Sequence, residues 1–135
     1  MPRDKAYGFQ RSSFGVYIPI PAGTGAAEIV TDWVAGFRFV IEKVRAYVAV
    51  VGAGAGATRT LRVLKGASTV VATGTVTLAS TDTLGEEQSL TVTAANASYE
   101  DTDVLTVDFA SGGTAFTAGA LNLFVLYRSR LQGER

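Results

Sequence analysis

The chain contains no cysteine and no histidine. A thiolate nucleophile, a Ser-His dyad, and zinc, copper or haem sites ligated by Cys or His are therefore excluded. Without cysteine the redox compartment stays open, since no disulfide is needed in either setting. Charge is sparse as well, at 18% of the 135 residues against 47% hydrophobic, where soluble domains usually carry about 25% charged. A shortage of charged surface points to faces hidden by self-association. Long apolar runs are missing too. The longest, Tyr47 to Ala57, includes five Ala and Gly residues from Gly52 to Gly56, and it falls short of the roughly 20 residues a membrane-spanning helix needs. The N-terminal MPRDKAYGFQRSS lacks the apolar core of a signal peptide, so the expectation is one soluble, unexported domain with no membrane partner.

Twelve basic and twelve acidic side chains leave no net charge, so no global field draws the protein to nucleic acid. The distribution says more. Six basic residues and one acid, Glu42, lie between Arg38 and Lys65, whereas Gly66 to Tyr127 holds seven acids and no Lys or Arg. Neighbouring strands of opposite sign neutralising each other within the fold is the simpler reading, and docking between subunits is the other.

What is present is β-prone. Phe14, Val16, Ile18 and Ile20 alternate on one face, with Pro19 and Pro21 marking an edge or an end, before the loop PAGTGAAE. Ile29–Val34 is a short strand carrying Trp33. In FRFVIEKVRAYVAVV the residues Phe37, Phe39 and Ile41 share a face, but the apolar set resumes at Val44, Ala46, Val48 and Val50. That change of parity across Glu42 and Lys43 predicts a β-bulge, which would let a long strand bend from one sheet toward another.

VAVVGAGAGATR places Gly52, Gly54 and Ala57 as a dinucleotide-binding fingerprint would, but that fingerprint requires a helix next. TRTLRVLK instead alternates as a strand, and the first carboxylate after Glu42 is Asp82. The glycines therefore read as a flexible strand connection. KGAS is a tight turn, Thr69–Ala79 a strand in which Gly74 marks another bulge, and STDTLGEE a loop. Strands over Ser89–Thr93, DVLTVDF and Phe116–Tyr127 complete the pattern. In the last, Leu121, Leu123, Val125 and Tyr127 oppose Phe124 and Leu126, so burial is expected on both faces, centrally in a sheet or under a neighbouring subunit. About eight strands with regular loops predict an all-β fold, a single jelly-roll or β-sandwich over residues 14–130, with an extended N-terminal arm over 1–13 and a tail over 131–135.

Chemistry is thin. Glu100, Asp101 and Asp103 in YEDTD are either a solvated turn or hard oxygen ligands for calcium. Glu86, Glu87 and Asp108 are nominal carboxylates for glycoside hydrolysis, but nothing in the sequence selects a pair. Trp33, Tyr47 and Tyr99 could stack on sugars or join the core. Tyr7 and Phe9, flanked by Lys5 and Arg11, have no local core to join. They belong either to a frayed terminus or to a segment that orders on a partner.

Three stretches, FRFVIEKVRAYVAV, YEDTDVLTVDFASGG and ALNLFVLYRSR, resemble the first long strand, the acidic turn and the closing strand of small jelly-roll structural proteins of tailed bacteriophages, especially capsid decoration (cement) proteins. The resemblance spans roughly residues 37 to 130. It implies a homotrimer that binds the major capsid protein on the outer capsid surface of the virion, after synthesis in the host cytoplasm, and stabilises the shell without a cofactor or catalytic residues. Carried onto this sequence, Lys5, Tyr7, Phe9 and Arg11 would contact the shell or a neighbouring subunit, and Leu121, Leu123, Val125 and Tyr127 would form the oligomer interface. The alternatives are a receptor- or glycan-binding jelly-roll module of a tail fibre or baseplate, for which Tyr99 is the loop aromatic, and a small carboxylate glycosidase.

Overall fold

The computed structural model describes residues 11–19, 26–54 and 56–130. Nine antiparallel strands follow one another: β1 (Arg11–Pro19), β2 (Ala27–Trp33), β3 (Phe39–Val50), β4 (Ala57–Lys65), β5 (Thr69–Leu78), β6 (Glu87–Val92), β7 (Ser98–Tyr99), β8 (Leu105–Phe109) and β9 (Ala120–Ser129). The pairing is nested. β1 pairs with β9, β2 with β8, β3 with β6 and β4 with β5. The resulting order, β1-β9-β3-β6 followed by β5-β4-β8-β2, is that of a jelly roll, a ribbon of antiparallel pairs wrapped into two facing sheets. The two-residue β7 extends the first sheet beside Phe39 and Val40.

The parity of the strands builds the core. Ile18, Val44, Ala46, Val48, Leu121, Leu123 and Val125 of the first sheet face Leu61, Val63, Val76, Leu105, Val107 and Phe109 of the second, all buried in one cluster. Burying each of the larger side chains contributes about 1.5–3 kcal/mol. The bulge predicted in β3 is present, because the β3–β9 register shifts between Ile41 and Lys43. Its role differs from the expectation. β3 stays paired with β9 along its length, and β6 is the strand that crosses between sheets, bonding β3 through Val44–Tyr47 and β5 through Ala72 and Thr73. Gly74 serves that crossing. It pairs with Leu61 without a register shift, and a Cβ there would lie 3.1 Å from the Ser89 carbonyl oxygen and 3.2 Å from Leu90 Cα. The residue marks a close backbone approach where the sequence suggested a bulge.

Two other boundaries move, and one connection differs in character. β1 opens at Arg11, so residues 11–13, assigned to the arm from sequence, are held by Arg128, Tyr127 and Leu126 of β9. Polar Ser12 and Ser13 hide this from a pattern of apolar alternation. Phe116 lies before β9, in a loop that tucks its ring against Phe109 at 5.7 Å. The glycine connection between β3 and β4 is packed, contrary to its reading as flexible: the Gly52 amide donates to the Ala79 carbonyl at 3.0 Å and the Ser80 amide to that of Gly54 at 3.2 Å. Residues 1–10, 20–25 and 131–135, and so most of the arm, part of PAGTGAAE and the tail, fall outside the described residues.

Candidate functional site

The open sides of the two sheets, β1 and β2, meet through side chains. Phe14 of β1 lies 5.0 Å from Trp33 of β2, and Trp33 lies 5.9 Å from Phe39. Phe39 in turn stacks on Tyr99 at 4.6 Å and meets Tyr127 at 5.4 Å. Trp33 and Tyr99 are therefore parts of an aromatic plug. Tyr99 is wholly buried, its hydroxyl donates to the Leu64 carbonyl at 3.1 Å, and burial, with the Asp103 charge adding, pushes its phenol well above the usual range. That overturns the expectation of Tyr99 as an exposed loop aromatic. Sequence reasoning missed it because burial comes from β3 and β4, which are remote in the chain.

The same plug holds Tyr127, and Leu121, Leu123 and Val125 are fully buried between the sheets. The assignment of Leu121, Leu123 and Val125 to a subunit interface is corrected accordingly, because their faces are used up by the chain's own core, while half-buried Tyr127 packs its ring against Phe39. The outward parity of β9 carries Asn122, Phe124 and Leu126 instead. Of the arm residues assigned to partner contact, Lys5, Tyr7 and Phe9 lie outside the described residues, and Arg11 contributes its main chain to β1 opposite Arg128.

An outward surface nevertheless stands ready on β1, β9 and β3. The register places Tyr17, Asn122 and Tyr47 in one row across the strands, and Gly15, Phe124 and Arg45 in the next. Tyr17 is 57% exposed and Phe124 36%. The Phe124 ring sits over Gly15, where a Cβ would come within 2.8 Å of it, and packs edge-on against Tyr47 at 5.8 Å. Exposed aromatics grouped on one sheet face mark an interaction surface more often than chance scatter does. Beside them Arg45 pairs with Glu87 at 3.5 Å, and its guanidinium is held above its ordinary value by Tyr47 first and the Glu87 charge second. The signal was in the sequence, in Phe124 and Leu126 opposing the apolar set. It pointed to the right strand and the wrong parity.

The charge segregation resolves within the fold. Arg62 of β4 faces Asp108 of β8 in register and holds it with two bonds, Nε at 2.9 Å and Nη2 at 2.7 Å. Arg128 meets Glu42 at 3.6 Å, and Glu100 receives Arg130 at 3.1 Å and Arg38 at 4.0 Å. The acidic turn closes on itself, because Asp103 accepts the Glu100 amide at 2.8 Å. Among the described residues no group of three or more acids could hold a metal ion. Nor does the fold bring the nominal glycosidase carboxylates together: Glu87 sits in the sheet of β3, Asp108 in that of β4, and Glu86 accepts the Thr83 amide.

The chain matches no protein-family model and no curated protein. A solved structure described as "Bacillus endospore appendages form a novel family of disulfide-linked pili" is similar to it at 16% identity, with a TM-score of 0.41 over 91% of each chain. The present chain has no cysteine with which to form a disulfide.

Proposed function

We propose that this jelly roll is a structural subunit of a bacteriophage virion, a capsid decoration protein that sits on the outer capsid surface as a trimer and stabilises the shell. The observation that carries this reading is the exposed aromatic face of β1, β9 and β3, where Tyr17 and Tyr47 share a row with Asn122 and the neighbouring Phe124 packs over Gly15 and against Tyr47. Exposed aromatics with polar neighbours on one face of a jelly roll suit joining protein to protein. Charges neutralised largely inside the fold leave such a face free of long-range repulsion between copies. β1, which follows Lys5, Tyr7 and Phe9 in the chain, is an edge strand of the first sheet, and the reading assigns those three residues to contact with the shell or a neighbouring copy.

The test is sedimentation with assembled capsids of the phage that encodes the chain. The protein is expected to co-sediment at a fixed ratio to the major capsid protein and to raise the temperature at which the shells open. A variant lacking residues 1–10 is expected to remain folded and to bind at least tenfold more weakly. Recovery of the full chain in the supernatant at all ratios overturns the reading.

A further inference from the structure

The charged side chains show a pattern beyond simple neutralisation. Arg38, Glu42, Arg45, Arg62, Glu87, Glu100, Asp108, Arg128 and Arg130 form ion pairs. Arg59 and Lys65 donate to the carbonyls of Ala110 and Ser98, and Asp82, Glu86 and Asp103 accept backbone amides. Four side chains remain without a partner among the described residues: Glu28, Asp32, Lys43 and Asp101. Their placement is uneven. Lys43 is exposed beside the aromatic face, in the row of Leu126. Glu28 and Asp32 line a cleft with Ala27, Leu64 and Thr106, against the second sheet, and two residues beyond Asp32 the side chain of Val34 is 47% exposed.

One surface is thus aromatic with an unmatched cation, and another is apolar at its border with two unmatched anions. We propose that copies of this chain join through these two different surfaces, the β1-β9-β3 face of one copy meeting the Glu28–Asp32 cleft of the next. The proposal rests on the reading of the chain as a self-assembling subunit and deepens it by naming the surfaces. A closed three-fold ring requires such a pairing, because cyclic assemblies beyond the dimer are built from heterologous contacts. Charge complementarity fixes the register of the contact and opposes like-on-like pairing of the same surface, where Lys43 would meet Lys43.

The experiment measures solution mass by light scattering for the native chain, Lys43→Glu, the double variant Glu28→Lys with Asp32→Lys, and the triple variant that combines all three, with circular dichroism verifying the fold of each. The native chain is expected to associate. Lys43→Glu and the double variant are each expected to associate at least tenfold more weakly, since each presents like charges on both surfaces. The triple variant Lys43→Glu with Glu28→Lys and Asp32→Lys, which exchanges the charges of both surfaces, is expected to regain association, because every contact of the ring then joins opposite charges again. Tyr17→Ser, on an exposed edge-strand position, is expected to weaken association without changing the spectrum. A monomeric native chain, native mass in either the Lys43→Glu or the double variant, or a triple variant that folds and stays dissociated overturns the proposal. Shell binding is read separately: a chain that assembles as described but ignores capsids removes the decoration reading and leaves the two surfaces in place.

Discussion

Gly52 and Gly54 stand two residues apart in one connection and tolerate very different things. A Cβ at Gly52 would run into the backbone carbonyl of Leu78, whereas one at Gly54 meets nothing within 4 Å but sits at φ +61°. Gly54→Ala is therefore expected to cost about 1–2 kcal/mol, the ordinary penalty of a left-handed residue. Gly52→Ala forces main chain apart and is expected to cost more than about 3 kcal/mol, both read from urea midpoints. The sequence shows two glycines alike, since only the β5 end brought against Gly52 separates them. Tyr99 makes a second prediction. Its phenol is raised by burial, so the native state keeps its proton to higher pH than the unfolded chain does, and its contribution is present below the unfolded value of about 10 and lost as pH rises beyond it. Stability is expected to fall above about pH 10, and Tyr99→Phe to flatten that alkaline limb while costing about 1 kcal/mol at neutral pH for the lost hydrogen bond.

At the scale of the element, β3 shows what alternation can reveal. A residue pattern with period two changes phase once, at Glu42–Lys43, and the ladder slips there. Deleting Glu42 would remove the extra residue of the bulge and leave Phe39, Ile41, Val44 and Ala46 on one face by plain alternation. The deletion variant is expected to keep a single cooperative unfolding transition, followed by the fluorescence of Trp33, which packs on Phe39, and to lose only the Glu42–Arg128 ion pair and the local twist of the bulge. In β9 the parity assigns roles to neighbours: Leu123→Ala is expected to cost about 2–5 kcal/mol through a buried cavity. Phe124→Thr, on the outward side, is expected to stay within about 1 kcal/mol. One element and one buried residue escaped the sequence for the same reason. β7, two residues long, and the buried Arg59, whose guanidinium lies 5.2 Å from the Phe109 ring centre, are defined by what packs on them from elsewhere. Neither has a local pattern of its own.

For the whole molecule, the all-β class and most strands were legible, while the order of strands was not. Alternation reports which face a residue takes and is silent about which distant strand lies beside it. The jelly-roll order rests on pairings as remote as Arg11 with Arg128. The candidate site was legible only as a strand with apolar residues on both faces. Assigning those faces to core or to partner required knowing that β1 and β3 flank β9. That arrangement predicts the effect of removing residues 1–19: β9 becomes an open edge carrying Phe124 and Leu126, and the truncated chain is expected to aggregate or form strand-exchanged oligomers, measured by light scattering after refolding.

Nested pairing also sets a timetable for synthesis. The β4–β5 hairpin can close on strands made one after the other, joined by the turn between Lys65 and Thr69. β1 has its ladder partner only once β9 has been made, and β2 only once β8 has. The strands that leave the ribosome earliest are thus the last to be covered, with Ile18 and Trp33 exposed throughout elongation. Completion of the sandwich belongs to the moments after the final strand emerges, and that interval is when a nascent chain of this design depends most on protection from its neighbours.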